Sequence, residues 1–308
     1  MKILIIGATG LIGRKLAQEL ASAGHEVTGL SRNPGLSGQR PGPGIILSYW
    51  DGKSPEVLKD ILYNQNGIIN LAGESIAGGL WTERRKKILV SSRVGVGNIL
   101  SEVILGMENK PLFLIQGSAS GYYGKWAESI PGENAPKGEG FLADLTSRWE
   151  LSVSMLEAAG VRTVFIRTGV VLDKAGGMLK QLILPFKYYG GTTPGSGRQW
   201  VSWIHMEDQV RAICFLVANP GSHGPYNLVS PAPVTMMELV REISKATGRP
   251  AWMKIPGGIL KLALGEMASE TILSSQRILP FKLQNEGFIF KYPSADQAIQ
   301  SLLSKSRK

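Results

Sequence analysis

A single cysteine in 308 residues rules out any disulfide within the chain. A chain this long buries enough surface to need neither a disulfide nor a structural metal, and no metal site is expected. Cys214 lies in the apolar run RAICFLVA, where a buried core thiol is expected and not a nucleophile. The lack of a disulfide framework fits a reducing, cytoplasmic setting. No run of 18 apolar residues occurs, so no transmembrane helix and no membrane partner are expected. The first apolar run, ILIIGATGLIG, is broken by glycine and threonine, so it is expected to be a first strand and not a secretion signal. The formal charge of +10 admits nucleic acid, anionic lipid or anionic small molecules. No helix-turn-helix, zinc finger or aromatic RNA-binding motif accompanies it, so a nucleic-acid partner is not expected. The basic clusters Arg84–Lys87 and SKSRK read as solvated surface. Nothing in the sequence makes an oligomeric state readable.

Apolar runs and amphipathic stretches alternate through the first half, which predicts an α/β, doubly wound parallel sheet covered on both faces. Strands are expected at 3–6, 27–30, 45–50, 67–72, 112–118 and 161–167, and helices at 11–23, 55–63, 82–107 and 143–159. Beyond this the composition shifts. KYYGGTTPGSGRQW is glycine-rich without a clear period, VSWIHMEDQVRAICFLVA and GPYNLVS return to ordered elements, and the remainder reads as mainly helical. The expected division is a nucleotide-binding domain over 1–172, which also receives segments around 201–230. A smaller, mainly helical C-terminal substrate lobe covers 173–308, with a distinct helical region from about 250.

GATGLIG places Gly7, Gly10 and Gly13 between a predicted strand and a predicted helix. Gly7 permits the tight turn, Gly10 lets the backbone approach a pyrophosphate, and Gly13 lets the helix pack on the strand. The helix N-terminus then presents free N–H groups to the anion. At the end of the second predicted strand, GLSRNP, an NAD site would carry Asp or Glu for the ribose hydroxyls. Ser31 occupies that position and Arg32 follows it. A serine donates a hydrogen bond and an arginine pairs with a 2′-phosphate, so NADP(H) is the expected cofactor. Arg40 is a looser candidate for the same phosphate.

The three-three glycine spacing resembles the extended branch of the short-chain dehydrogenase/reductase superfamily, whose fold is of the Rossmann type. IINLAGES, IQGSASGYYG and IRTGVVL resemble the cofactor-lining ends of its fourth, fifth and sixth strands. Together with SSRV, PGSGRQWVSWIHMED and GEMASETILSSQRILPFKLQNEGFIFKYP they resemble, over nearly the whole chain, an epimerase-family oxidoreductase subfamily that looks like the sugar-nucleotide epimerases. Some of its members are labelled cell-division inhibitor-like. The resemblance implies cofactor contacts at Thr9, Leu11 and Ile12 beside the glycines, and at Leu71, Ala72, Gly73 and Glu74. It implies further contacts at Arg93, at Gly117 and Ser118, and at Thr168, Gly169 and Val170.

The superfamily's chemistry uses a hydroxyl residue, a tyrosine and a lysine, with Tyr-x-x-x-Lys on one helix face. From Phe141 to Ala159 this chain has neither tyrosine nor lysine. With Glu150 as anchor, Leu142 falls at the tyrosine position and Thr146 at the lysine position. The orienting hydroxyl position falls on Ala119, flanked by Ser118 and Ser120. Two readings stay open. In the first, an NADP(H)-dependent oxidoreductase acts on a small-molecule substrate with a rebuilt proton donor. Tyr122 and Ser118 are its catalytic candidates, and Glu74 and His205 are further titratable groups. Arg198 is a candidate holder for an anionic substrate, with Trp200 and Trp203 as pocket walls. In the second, the chain binds NADPH without turnover, as a regulatory or redox-sensing protein. Sugar-nucleotide epimerisation is disfavoured by the absent pair.

Overall fold

The computed structural model describes residues 1–32, 42–124 and 130–304. The first half runs β1 (Lys2–Ile6), α1 (Leu11–Ser22), β2 (Glu26–Ser31), β3 (Ile45–Tyr49), α2 (Pro55–Leu62), β4 (Gly67–Asn70), α3 (Glu83–Val90), a π-helical turn (Ser91–Gly95), α4 (Val96–Leu105), β5 (Phe113–Ala119), a 3-10 turn (Ser120–Tyr123), α5 (Phe141–Leu151), α6 (Met155–Ala158) and β6 (Arg162–Thr168). The second half runs β7 (Val170–Leu172), α7 (Gly177–Phe186), β8 (Thr192–Pro194), β9 (Trp200–Val201), β10 (Trp203–His205), α8 (Met206–Ala218), β11 (Gly224–Leu228), β12 (Val234–Thr235), α9 (Met236–Thr247), β13 (Met253–Ile255), α10 (Gly257–Leu264), α11 (Glu266–Glu270), α12 (Phe281–Asn285) and α13 (Ala295–Leu303).

Seven strands form a parallel sheet in the order β11-β6-β5-β4-β1-β2-β3. The order reverses at β1, so the crevice beyond the strands' C-terminal ends lies where α/β sheets bind ligands. The two-residue period of β1 sorts its apolar run between two cores. Ile3 and Ile5 pack with Leu16 and Leu20 of α1 and Ile213 and Leu216 of α8. Leu4 and Ile6 pack with Leu58 of α2 and Leu100 and Ile104 of α4 on the other face. The doubly wound parallel architecture expected from the sequence is therefore present.

Three local expectations change. The helix predicted over 143–159 stops at Leu151, and Ser152–Ser154 form a turn before α6. Ser152 Oγ donates to Trp149 O and Ser154 Oγ to Leu151 O, the side-chain competition that ends helices. The helix over 82–107 carries the π-helical insertion SSRVG, which re-aims Arg93. Its span Glu83–Leu105 is long and apolar enough to cross a membrane by length and composition alone, a test that a core helix also meets. Here Leu89 is buried, and Val96, Leu100, Val103 and Ile104 pack in the second core. Third, the second half is less purely helical than its composition suggests: β13 pairs with β8, and β12 with β9.

A separate core lies between α7, α9 and α13, built on Leu179, Phe186, Leu239, Ile243 and Ile299 around Trp203. A capping box at Thr235 and Glu238 starts α9. The chain then returns to the large sheet, where Leu283 and Phe288 join the α1–α8 core.

Candidate functional site

A cavity of about 440 Å³ opens beyond the ends of β1, β2 and β4. Gly7, Thr9 and Gly10 line one wall, Ser31 and Arg32 a second, and Leu71, Ala72, Gly73 and Glu74 a third. Sequence reasoning named all of these. Gly7 adopts φ +86°, and a Cβ there would lie 2.8 Å from Leu71 O. Gly13, on α1, faces the turn after β1, where a Cβ would meet Gly7 O at 2.2 Å. Gly10 is the N-cap of α1, with no side-chain cap and no acid in the first turn. The first N–H groups of α1 are thus left for a ligand anion. Leu11 and Ile12 pack against the sheet core and not on the cavity wall. Asn70 shapes the third wall, since its Oδ1 accepts from Ala72 N at 3.1 Å while its Nδ2 donates to Gln116.

Sequence reasoning missed the outer wall. Trp50, Asp51 and Lys53 follow β3, and Ser92, Val96 and Ile99 come from the π turn and α4. The run WDGKSP at a predicted strand end carried a signal for Asp51, whose carboxylate accepts from Lys53 N and Ser54 N at 2.8 and 2.9 Å ahead of α2. No periodic signal marks the π-turn residues.

At the rim, Arg32 Nη2 donates to Glu74 Oε1 at 2.8 Å, and Arg85 Nη1 stands 3.6 Å from Glu74 Oε2. The hydrogen bond from Arg32, with Arg85 adding to it, holds the Glu74 carboxyl below its ordinary value. Arg40 lies outside the described residues. Arg93 is half-buried below the third wall. It donates to Glu74 O at 2.9 Å and faces the Trp149 ring, and a Cβ on Gly73 would lie 2.9 Å from its guanidinium carbon. Burial pushes Arg93 down to about 10, with Glu74 acting in opposition. It therefore builds the Gly73–Glu74 loop and does not line the cavity.

Among the described residues, the other end of the groove, beyond β5 and β6, is occupied by a hydrogen-bonded side-chain network. Ser118 Oγ donates to Glu150 Oε1 at 2.5 Å, and Arg167 grips both oxygens of Glu150 at 2.8 Å. Arg167 also donates to Tyr123 Oη and Glu133 O, and Tyr123 Oη donates to Asn227. Burial raises the Tyr123 phenol to about 12 against the pull of Arg167. Tyr122 is half-buried, its ring centroid 3.5 Å from the Arg167 guanidinium carbon. Among the described residues its hydroxyl makes no hydrogen bond. Gly117 packs so closely that a Cβ would lie 2.9 Å from the Trp149 ring. Thr168 Oγ1 accepts from Gln209, and Gly169 and Val170 bond to Leu228 O and Ser202 O.

Leu142 and Thr146 both face the 3-10 turn, within 3.2 and 3.7 Å of where a Gly121 Cβ would stand. The Thr146 hydroxyl is spent on Leu142 O at 2.6 Å. His205 lies elsewhere. Its Nδ1 accepts from Glu207 N as the N-cap of α8, so Nε2 carries the hydrogen and donates to Ser301 Oγ. Burial lowers its pKa despite Asp208 and Glu207, and it serves as a neutral structural ring. Arg198 is exposed, Trp203 is buried in the α7–α9–α13 core, and Trp200 is stacked under Arg277.

Across this end runs the GEMASETILSSQ segment, in which sequence reasoning assigned no role to Glu270 or Gln276. Glu270 Oε2 accepts from Leu142 N at 3.0 Å, capping α5. Gly140 permits that approach, since a Cβ there would fall 2.3 Å from Glu270 Oε1. Gln276 Oε1 accepts from Ser120 Oγ, and its Nε2 donates to Gly124 O at 2.7 Å. Between these groups and Leu142 remains a space of about 10 Å³, room for about one water.

The profile described as NAD dependent epimerase/dehydratase family matches residues 3–229, and a domain of unknown function (DUF1731) matches 255–302. The segment carrying Glu270 and Gln276 falls in the second. Epimerase family protein YfhF of Bacillus subtilis (strain 168) is 38% identical over 307 residues, which is 99% of this chain and 98% of that protein. The Arabidopsis thaliana epimerase family protein SDR39U1 homolog, chloroplastic, is 33% identical over 312 residues, 98% of this chain and 87% of that one. The crystal structure of human epimerase family protein SDR39U1 (isoform2) with NADPH superposes with a TM-score of 0.87 at 29% identity, covering 98% of this chain and 99% of that one. Thermus thermophilus UDP-glucose 4-epimerase shares the fold, with a TM-score of 0.77 at 18% identity over 98% of both chains. By sequence over most of its length, and by the glycine turn and strand-end cavity that the sequence builds, this chain belongs to the NAD dependent epimerase/dehydratase family.

Proposed function

We propose that this protein binds NADPH and uses it as a hydride carrier for a small carbonyl or alcohol substrate. The observation that carries the reading is Arg32 at the rim of the glycine-floored cavity, one residue after Ser31, which stands where an NAD site would place an acid. The Asp51 and Ser92 walls would flank the adenosine, Arg32 would hold the 2′-phosphate, and the N-terminus of α1 would hold the pyrophosphate. The human SDR39U1 structure, solved with NADPH, supports the choice of dinucleotide. Gly121, Leu142 and Tyr122 would then border the nicotinamide. When bound, NADPH would supply the hydride for the carbonyl carbon, and the carbonyl oxygen would need a proton from the protein. Tyr122 is the candidate for that proton, because Ser118 is committed to Glu150.

A second reading, NADPH binding without turnover, is favoured by one observation. The Tyr and Lys positions hold Leu142 and a Thr146 bonded to its own helix, beside a space for about one water. A panel of small aldehydes and ketones, followed by NADPH absorbance, separates the two. The first reading expects consumption that falls at least about tenfold in Tyr122→Phe. Tight NADPH binding by calorimetry with no carbonyl consumed selects the second reading. Full turnover in Tyr122→Phe removes that residue as the proton donor.

A further inference from the structure

The rim of the cofactor cavity holds a charge arrangement that the glycine motif does not explain. Two acids line the cavity, Asp51 and Glu74. Asp51 is spent within its own turn: Oδ1 accepts two backbone N–H groups and Oδ2 the Ser54 hydroxyl. Glu74 is different. Its carboxylate is about a quarter exposed and its partners are arginine side chains, Arg32 at 2.8 Å and Arg85 at 3.6 Å. Arg85 is anchored on α3 through Ser75 O, whereas the Arg32 side chain is 69% exposed. One of the two cations is therefore fixed and the other is free to leave.

Glu74 reaches the tip of Arg32, the residue that follows the last position of β2. It arrives from beyond β4, a different strand of the sheet. The acid that Ser31 does not supply is thus brought to the same rim from another wall. We propose that Glu74 is the specificity-determining partner of Arg32. Its carboxylate accepts from the ribose 2′- and 3′-hydroxyls when the ligand is NAD(H). When the ligand carries a 2′-phosphate, Glu74 yields Arg32 to it and falls back on Arg85. The proposal rests on the dinucleotide reading above.

The physical reasons have opposite signs for the two ligands. A carboxylate accepting from ribose hydroxyls makes charge-assisted hydrogen bonds that need no phosphate. The same carboxylate beside a 2′-phosphate is a like charge, and its bond to Arg32 must be broken before the phosphate gains the full guanidinium. Glu74 therefore narrows the preference that Arg32 creates.

Calorimetric titration of NADPH and NADH into the wild-type protein, Glu74→Gln and Arg32→Ala tests this, with thermal melts to confirm folding. In Glu74→Gln, NADH is expected to weaken about tenfold, while NADPH holds or tightens by about threefold. In Arg32→Ala the shift reverses: NADPH weakens by about a hundredfold and NADH holds within about twofold. If Glu74→Gln moves both dinucleotides by the same factor, or weakens NADPH alone, Glu74 is not a discriminator and the proposal falls, while Arg32 keeps its role. If the wild-type protein binds neither dinucleotide, the reading beneath the proposal fails and takes it along.

Discussion

The open end of the groove, beyond β1, β2 and β4, and the end beyond β5 and β6 are built from the same sheet but hold different kinds of material. The first is open, about 440 Å³, and its main walls are strand-end loops and the uncapped first turn of α1. Among the described residues the second is packed with charge: Ser118, Glu150, Arg167 and Tyr123 form one buried network, and Glu270 and Gln276 close over this end from the C-terminal region, beside a space of about 10 Å³. A backbone-built site survives side-chain change, because glycine turns and helix termini do the binding. A site built from side chains is remade when two of them change. Leu142 and Thr146 stand at the second end, where Ser118, Glu150, Arg167 and Tyr123 are bonded to one another.

Substitutions that strike one end and spare the other break or sharpen this contrast. The largest stability effect is expected from Glu150→Gln. It leaves the Arg167 charge buried with half its partner gone, at a cost of about 3–5 kcal/mol, read by denaturant unfolding. Gly13→Ala strikes the open end. Its Cβ would meet the Gly7 carbonyl, so the turn must shift; about 1–3 kcal/mol of stability is expected to go, and NADPH affinity to fall by about a hundredfold or more in calorimetry. Glu270→Ala removes the cap on α5, with an expected loss of about 1 kcal/mol in denaturant unfolding. Because it stands at the filled end, NADPH affinity should stay within about twofold. A larger loss would show the two ends to be coupled.

A smaller effect is expected at His205. Its pKa is lowered in the fold by burial, with Lys15 adding to this and Asp208, Glu207 and Asp173 opposing. The unfolded chain therefore takes up the proton first as pH falls below about 6.5, and stability drops from there toward the folded value. His205→Asn keeps an acceptor for Glu207 N, so its melting temperature should change less than the wild type's between about pH 7 and 5. The smallest effect is at Cys214, whose thiol burial pushes up to about 12. Iodoacetamide at about pH 8 should leave it unmodified in the folded protein and label it once unfolded.

What the sequence made legible follows the same division. β1 alternates between two cores, and Gly7, Gly10 and Gly13 sit at fixed offsets from it, so the open end could be placed from a short window. Arg32 was legible because it follows a strand by one residue. Its partner Glu74 was named as a cofactor residue, but the ion pair joins two strand ends and has no sequence spacing. The filled end depends on longer reach: Glu270 meets Leu142 across 128 positions and Gln276 meets Gly124 across 152. The lack of tyrosine and lysine in α5 was plain, whereas what replaced them was not. The end of α5 at Leu151 was missed because two serine hydroxyls, and not a glycine or proline, stop it.

A crystal structure of the protein with NADPH measures the central claim most directly. The account predicts the 2′-phosphate within hydrogen-bond distance of Arg32, the pyrophosphate over Gly7 and Gly10, and the nicotinamide C4 facing Gly121 and Leu142. Adenosine bound outside the cavity between Asp51 and Ser92, or a 2′-phosphate with no contact to Arg32, would contradict it.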